Sequence, residues 1–124
     1  MSRDKAYLAD ILESARVIQQ HLSGMTREHF LADVRTQDAV IRRFEIIGEA
    51  ARHLSPVTLK ALPEIPWNLV VGMRNLLIHD YDDVDPRRVW TDSQNDLPQL
   101  IARLEAYLAT EPEDPGEDEL TKPI

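Results

Sequence analysis

Residues 74–81 carry the side chains best suited to chemistry in this chain of 124 residues. They read Arg-Asn-Leu-Leu-Ile-His-Asp-Tyr, so a permanent cation, an imidazole and a phenol stand close together in an otherwise apolar stretch. Arginine is charged at every accessible pH, whereas histidine titrates near neutrality. Cleavage of a phosphodiester bond needs such a pair, because a proton moves while negative charge builds on the phosphoryl oxygens.

Spacing within this motif decides which side chains can act together. Asn75 and His79 are four residues apart, so on a helix they share one face and Asn75 can orient the imidazole. Arg74 and His79 are five residues apart, which places them about 140° around the helix axis. One copy of the motif therefore does not easily aim both at one point. A symmetric dimer would bring an arginine and a histidine from each chain to a common cleft.

The reaction that this set predicts is metal-independent cleavage of RNA. His79 would act as general base toward a 2′-hydroxyl or as general acid toward the leaving 5′-oxygen, and Arg74 would stabilise the phosphoryl charge. The product would be a 2′,3′-cyclic phosphate, and no cofactor would be needed. From the residues alone two other interpretations stay open, a cap and salt-bridge network at a helix end and a ligand-binding site.

Length and composition point to one domain. The chain is 43% hydrophobic and contains no cysteine, which excludes a disulfide framework and a thiolate metal site. Its N-terminal residues are polar, and no apolar run approaches membrane-spanning length, so a cytoplasmic protein that makes no membrane contact is expected. The net charge of −8 does not by itself indicate a nucleic-acid partner.

Apolar residues recur at helical spacing, and useful strand-like alternation is absent from the sequence. The pattern predicts long helices over about residues 3–22 and 34–54, and a third that carries the motif from Trp67 to about Tyr81. A last helix extends to about Leu108, and Pro98 inside it should kink or restart it. These elements predict an all-α bundle of four to five helices.

Local signals place the ends of these elements. Ser23-Gly24 should end the first helix, and Thr26 should cap a short helical turn. Ser55-Pro56 and Asp85-Pro86 each resemble an N-cap followed by the first helical position. The helical domain is expected over residues 1–110. Residues 111–124 are rich in Pro, Glu and Asp, which predicts an acidic, disordered tail.

The motif and its surroundings resemble the HEPN superfamily, in the branch of HepT-like toxins. Its signature is an Arg-x-x-x-x-His followed by x-Tyr, found here from Arg74 to Tyr81. Four other segments match as well, and the resemblance covers residues 4–108. They are Ile46-Ile47-Gly48-Glu49-Ala50, Ile65-Pro66-Trp67, Gly72-Met73-Arg74-Asn75, and Val84-Asp85 before Val89-Trp90.

The resemblance implies an α-helical homodimer, or a higher even oligomer, that cleaves RNA. Arg74 and His79 would be the catalytic pair in a cleft between protomers. The partner would be a minimal nucleotidyltransferase antitoxin, in a type VII-like toxin–antitoxin pair, that transfers AMP onto Tyr81. This AMPylation would block RNA by bulk and charge. The alternative is a non-catalytic HEPN module that binds a nucleotide or docks a nucleotidyltransferase.

Glu49 is a supporting candidate with two interpretations. It can pair with Arg52, three residues along the same helix, or it can reach Arg74 and orient it. No metal site is expected. The remaining histidines lack metal-ligand spacing with each other or with His79; they are His21, His29 and His53.

Further arginines and both tryptophans also admit two interpretations. The arginines either form a solvated face or hold RNA phosphates; they are Arg42, Arg43, Arg87 and Arg88. Trp67 and Trp90 are either anchors of the core or of a dimer interface, or platforms for base stacking. The acidic tail either adds solubility or mimics nucleic acid.

Overall fold

The computed structural model describes residues 3–71 and 84–110, and within these ranges every regular element is an α-helix. The predicted all-α class is confirmed. None of the helices in these ranges is long and apolar enough to cross a membrane. In chain order the helices are α1 (Asp4–Leu22), α2 (Arg27–Leu31), α3 (Val34–Arg52), α4 (Pro56–Ala61), α5 (described over 67–71), α6 (Pro86–Asn95) and α7 (Leu97–Thr110).

Capping residues begin two helices where the sequence predicts. Thr26 Oγ1 accepts the backbone N–H of His29 at 3.1 Å ahead of α2. Asp85 Oδ1 accepts the backbone N–H of Arg87 at 2.9 Å, and Pro86 stands in the first turn of α6. Each bond satisfies an N–H that has no acceptor within its own helix.

The ends of the long helices also follow local chemistry. After α1, Gly24 takes a φ of 76°, in the left-handed region where glycine carries no steric penalty. The helix predicted to reach residue 54 ends at Arg52, and Leu54 beyond it is still buried. Pro98 restarts the last helix, as one of the two predicted outcomes, because α6 closes at Asp96 and α7 begins at once.

The core is a seam between α1 and α3 that α7 closes. Ile11 and Ile18 of α1 are fully buried, and Phe44 of α3 is 6% exposed. Leu104 brings α7 into the same cluster. These positions repeat at helical spacing, so burying one apolar stripe from each helix is enough to hold the bundle.

Trp67 belongs to this core and Trp90 is partly buried against it, which confirms that both tryptophans anchor the core; a role in a dimer interface stays a prediction. Trp67 is 9% exposed, and its indole Nε1–H donates to the carbonyl oxygen of Leu62 at 3.1 Å. The Trp90 ring lies 5.5 Å from that of the fully buried Phe30. Trp67 thereby fixes the chain at the start of α5, the helix that precedes the motif in the sequence.

A buried carboxylate ties the start of α1 to α4. Asp4 is 8% exposed, and its Oδ1 accepts the backbone N–H of Ser55 at 3.2 Å. Its Oδ2 accepts the hydroxyls of both Ser55 and Thr58. Ser55 therefore holds the predicted N-cap position of α4 without a capping side-chain bond, since its hydroxyl is directed to Asp4. These bonds join residues that are 51 and 54 positions apart.

A second carboxylate stands in a less favourable place, on α6. Asp92 lines an apolar cavity of about 320 Å³ beside Leu97 and Leu100. Burial raises the pKa of Asp92. The Arg88 guanidinium, whose Nε lies 3.7 Å from Asp92 Oδ2, opposes this rise, and the like charge of Asp96 adds to it.

Replacement of Asp4 should destabilise the fold. Asp4→Ala is expected to lower the free energy of unfolding by about 2–4 kcal/mol, because each buried polar group that loses its acceptor costs about 1–3 kcal/mol. Urea unfolding followed by far-UV circular dichroism measures the change. Glu13→Ala, at an exposed position of the same helix, is the control and should stay within about 0.5 kcal/mol of wild type. Equal losses in both variants would contradict a structural role for the Asp4 bonds.

Replacement of Asp92 should stabilise the fold, by an amount that depends on pH. A pKa that is higher in the folded chain favours folding at acid pH, and this advantage disappears as pH rises through the folded value. Asp92→Asn should therefore be more stable than wild type at neutral pH, and the two curves should converge below the ordinary aspartate pKa of 3.8. Thermal unfolding at several pH values tests this, with the exposed Asp38→Asn as control. A variant less stable than wild type at neutral pH would show that the Arg88 pair dominates.

Candidate functional site

Four of the five predicted site residues lie outside the described residues. Arg74, Asn75, His79 and Tyr81 all fall in the stretch 72–83, so their roles stay predictions. The described chain stops at residue 71 on one side and resumes at residue 84 on the other. The structure describes the helices on either side of the motif, and of the predicted site residues it places Glu49.

Glu49 sits in the last turns of α3 and makes two contacts through one oxygen. Its Oε1 lies 3.3 Å from Arg52 Nη2 and 3.2 Å from His53 Nε2. The predicted pair with Arg52 is confirmed. An ionised carboxylate can only accept, so the second contact favours a His53 ring that carries hydrogen on Nε2. Oε2 of the same carboxylate is buried, and the proposed reach to Arg74 concerns a residue outside the described ranges.

His53 connects Glu49 to a groove between α1 and α3. Its imidazole stacks on the ring of Tyr7, with 5.2 Å between the centroids and 17° between the planes. The groove has a volume of about 460 Å³, and Asp10 and Glu45 also line it. Sequence reasoning did not select Tyr7 or Asp10. The available signal was their spacing of three residues along the edge of the apolar stripe of α1.

An exposed ion pair between Asp85 and Arg87 stands at the start of α6, shortly after the motif in the sequence. Arg87 Nη2 lies 2.9 Å from Asp85 Oδ2, and Arg87 Nε lies 3.0 Å from Asp85 Oδ1. These bonds, together with the backbone N–H of Arg87, hold the pKa of the Asp85 carboxyl below its usual value. Asp85 therefore stays ionised, and keeps capping α6, to a lower pH than an aspartate without these bonds would.

All four arginines considered for RNA phosphates have partners in the described structure. Arg42 Nη1 lies 3.3 Å from Glu45 Oε2, and Arg43 Nη1 lies 3.5 Å from Ser14 Oγ. Arg87 and Arg88 pair with acids on α6 or at its cap. The side chains of Arg42, Arg87 and Arg88 are 69%, 67% and 66% exposed. Exposed ion pairs are worth little, so these contacts do not prevent exchange for a phosphate.

Over residues 3–71 and 84–110, no three side chains of the metal-binding types come together in an arrangement that could hold an ion. His21 and His29 are exposed on the surface of α1 and α2. His53 is engaged by Tyr7 and Glu49 as described above.

Comparison with known proteins identifies a family and several relatives that this chain resembles. Residues 11–107 match the family described as "Ribonuclease HepT-like". A Thermococcus cleftensis protein named "Probable ribonuclease HepT" is 42% identical over 101 residues, which is 82% of this chain and 92% of that protein. No solved structure matches the chain significantly.

Further relatives extend the similarity over more of the chain. The Methanocaldococcus jannaschii protein named "Putative RNase MJ0127" is 36% identical over 115 residues, covering 93% of each chain. One from Caldanaerobacter subterraneus, named "Putative RNase TTE0752", is 31% identical over 111 residues, covering 90% of this chain and 99% of its own. The family match spans α3, the motif and most of α7, and on this basis the chain belongs to the HepT-like ribonuclease family.

Proposed function

We propose that this protein is a metal-independent endoribonuclease whose catalytic pair is Arg74 and His79. The observation that carries the proposal is the combination of membership in the HepT-like ribonuclease family with an intact Arg-x-x-x-x-His at positions 74–79. A module that only docks a partner has no need of this pair. The names of the relatives support RNA cleavage in general terms.

The proposed reaction is an internal transfer at phosphorus. One His79 removes the proton from a 2′-hydroxyl, and that oxygen forms a bond to the adjacent phosphorus. The bond from phosphorus to the 5′-oxygen breaks, and a second His79 gives the leaving oxygen its proton. Arg74 stabilises the charge on the phosphoryl oxygens. The products are a 2′,3′-cyclic phosphate and a 5′-hydroxyl, so neither water nor a cofactor enters this step.

Two copies of the chain would supply the residues of one cleft. The five-residue spacing of Arg74 and His79 favours a site built across a two-fold axis, since such an axis presents the same residues from both chains. The proposal is therefore a homodimer or a higher even oligomer.

Control of the enzyme would act through Tyr81. A nucleotidyltransferase antitoxin would join AMP to the phenol oxygen, and the added phosphate charge and bulk would keep RNA out. In this scheme the protein is the toxin of a toxin–antitoxin pair, and Tyr81 is a regulatory acceptor.

Loss of either member of the catalytic pair should abolish cleavage. Arg74→Ala and His79→Ala are each expected to reduce the rate at least about a hundredfold, the usual contribution of a general acid–base or a charge-stabilising group. The assay follows a labelled single-stranded RNA in EDTA, and induction in cells reports growth arrest. Arg16→Ala and His21→Ala, at exposed positions of α1, are the matched controls and should cleave like wild type. A folded, unmodified wild type that cuts no RNA would favour the docking-module alternative.

Modification of Tyr81 should silence the enzyme. Coexpression with a minimal nucleotidyltransferase antitoxin is expected to add the mass of AMP to the peptide that carries Tyr81 and to remove RNA cleavage. Tyr81→Phe lacks the acceptor oxygen, so it should stay unmodified and active beside the same antitoxin. Intact-mass and peptide mass spectrometry measure both chains. Addition of AMP to Tyr81→Phe, or silencing without modification, would contradict this scheme.

A further inference from the structure

A groove between α1 and α3 has features that the proposed cleavage reaction does not use. It holds about 460 Å³, and the stacked rings of Tyr7 and His53 stand in its wall. Asp10 and Glu45 contribute carboxylates, and Arg42 stands at the same groove. An aromatic surface beside hydrogen-bond acceptors is typical of a site for a flat, donor-bearing ligand.

The aromatic pair is held in place before any ligand arrives. His53 closes the C-terminus of α3, where its backbone N–H bonds to the carbonyl oxygen of Ala50 at 3.1 Å. Its ring is held by Glu49 Oε1 at 3.2 Å and by the stack on Tyr7. Tyr7 itself packs against the core from α1. A platform fixed in this way loses little conformational entropy on binding.

The carboxylates in the groove disfavour a bare phosphate and favour a ligand that carries hydrogen-bond donors. Asp10 is exposed, and its side chain makes no hydrogen bond or ion pair with any other residue in the described ranges. Glu45 is paired with Arg42, at 3.3 Å. A carboxylate that is ionised offers two acceptor oxygens and no donor. The groove therefore suits a group with two adjacent N–H donors on the edge of a flat ring.

We propose that this groove binds a guanine base of single-stranded RNA, an inference that rests on the proposed ribonuclease function. Guanine carries N1–H and N2–H₂ side by side, which match the two oxygens of the Asp10 carboxylate. Cytosine, adenine and uracil do not present two adjacent donors on that edge. RNA-binding proteins read unpaired bases in this way, by stacking on aromatic rings and bonding to the base edge. Arg42, which is 69% exposed, stands at the groove to meet a flanking phosphate.

The first experiment measures binding of free nucleosides, because it needs no cleavage. Guanosine is expected to shift amide resonances of α1 and the end of α3 in NMR spectra of the full chain, more strongly than adenosine, cytidine or uridine. Tyr7→Leu should weaken guanosine binding about tenfold, the effect of losing one stacking contact, whereas Tyr7→Phe keeps the ring and should bind like wild type.

A second variant tests the base edge independently of the core. Asp10→Asn replaces one acceptor oxygen with a donor, so it should lose the preference for guanosine while it remains folded at an exposed site. Glu13→Gln, on the same helix and outside the groove, is the matched control and should bind like wild type. Equal binding of all four nucleosides by wild type, or an unchanged preference in Asp10→Asn, would overturn the assignment.

Sequencing of cleavage ends separates this inference from the function on which it rests. If the guanine-binding groove and the ribonuclease function are both correct, wild type cuts RNA at a fixed distance from a guanosine, and Asp10→Asn cuts RNA without that preference. Guanosine binding by a chain that cleaves no RNA would support the proposal that the groove binds guanine and refute the proposed ribonuclease function. Cleavage with no guanosine binding and no guanosine preference would refute the groove and support the ribonuclease.

Discussion

The packing of α1 on α3 is the constraint on which the rest of the described structure depends. Its apolar side, with Ile11, Ile18 and Phe44 buried, provides the hydrophobic seam onto which α7 closes. Its polar side leaves a groove, and Tyr7 of α1 stacks on His53, at the end of α3, in the wall of that groove. One helix contact thus gives both the stability of the bundle and its concave polar surface.

The packing of α1 on α3 also determines how far the Glu49 side chain is buried. Gly48, Ala50 and Ala51 around it are all buried, so α3 is enclosed on several sides at this point. A carboxylate is costly to bury unless it is paired and hydrogen-bonded. Glu49 meets this condition by bonding through Oε1 to Arg52 and His53 while Oε2 points inward. A half-buried acid held in this way is well suited to orienting another charged group, the role suggested for it toward Arg74.

The features predicted from sequence are those set by neighbours along the chain. Thr26 and Asp85 cap their helices because a side-chain oxygen reaches an N–H two or three residues on. Features set by distant residues were missed. Ser55 is diverted from capping α4 by Asp4, and Tyr7 meets His53 only after α1 folds onto α3. The sequence offers no local signal for such pairs. The motif at residues 74–81 was selected by its residue types and spacing, and the resemblance then supplied its family.

The chain is anchored on both sides of that motif by interactions of different kinds. On the N-terminal side, Trp67 is buried and its indole is bonded to Leu62, so displacement would expose a large apolar surface. On the C-terminal side, Asp85 is held by the capping N–H and the guanidinium of Arg87 at a site open to solvent. A buried anchor resists movement more than an exposed ion pair does. An RNA phosphate that draws Arg87 away from Asp85 would therefore act on the C-terminal anchor and leave the Trp67 anchor in place.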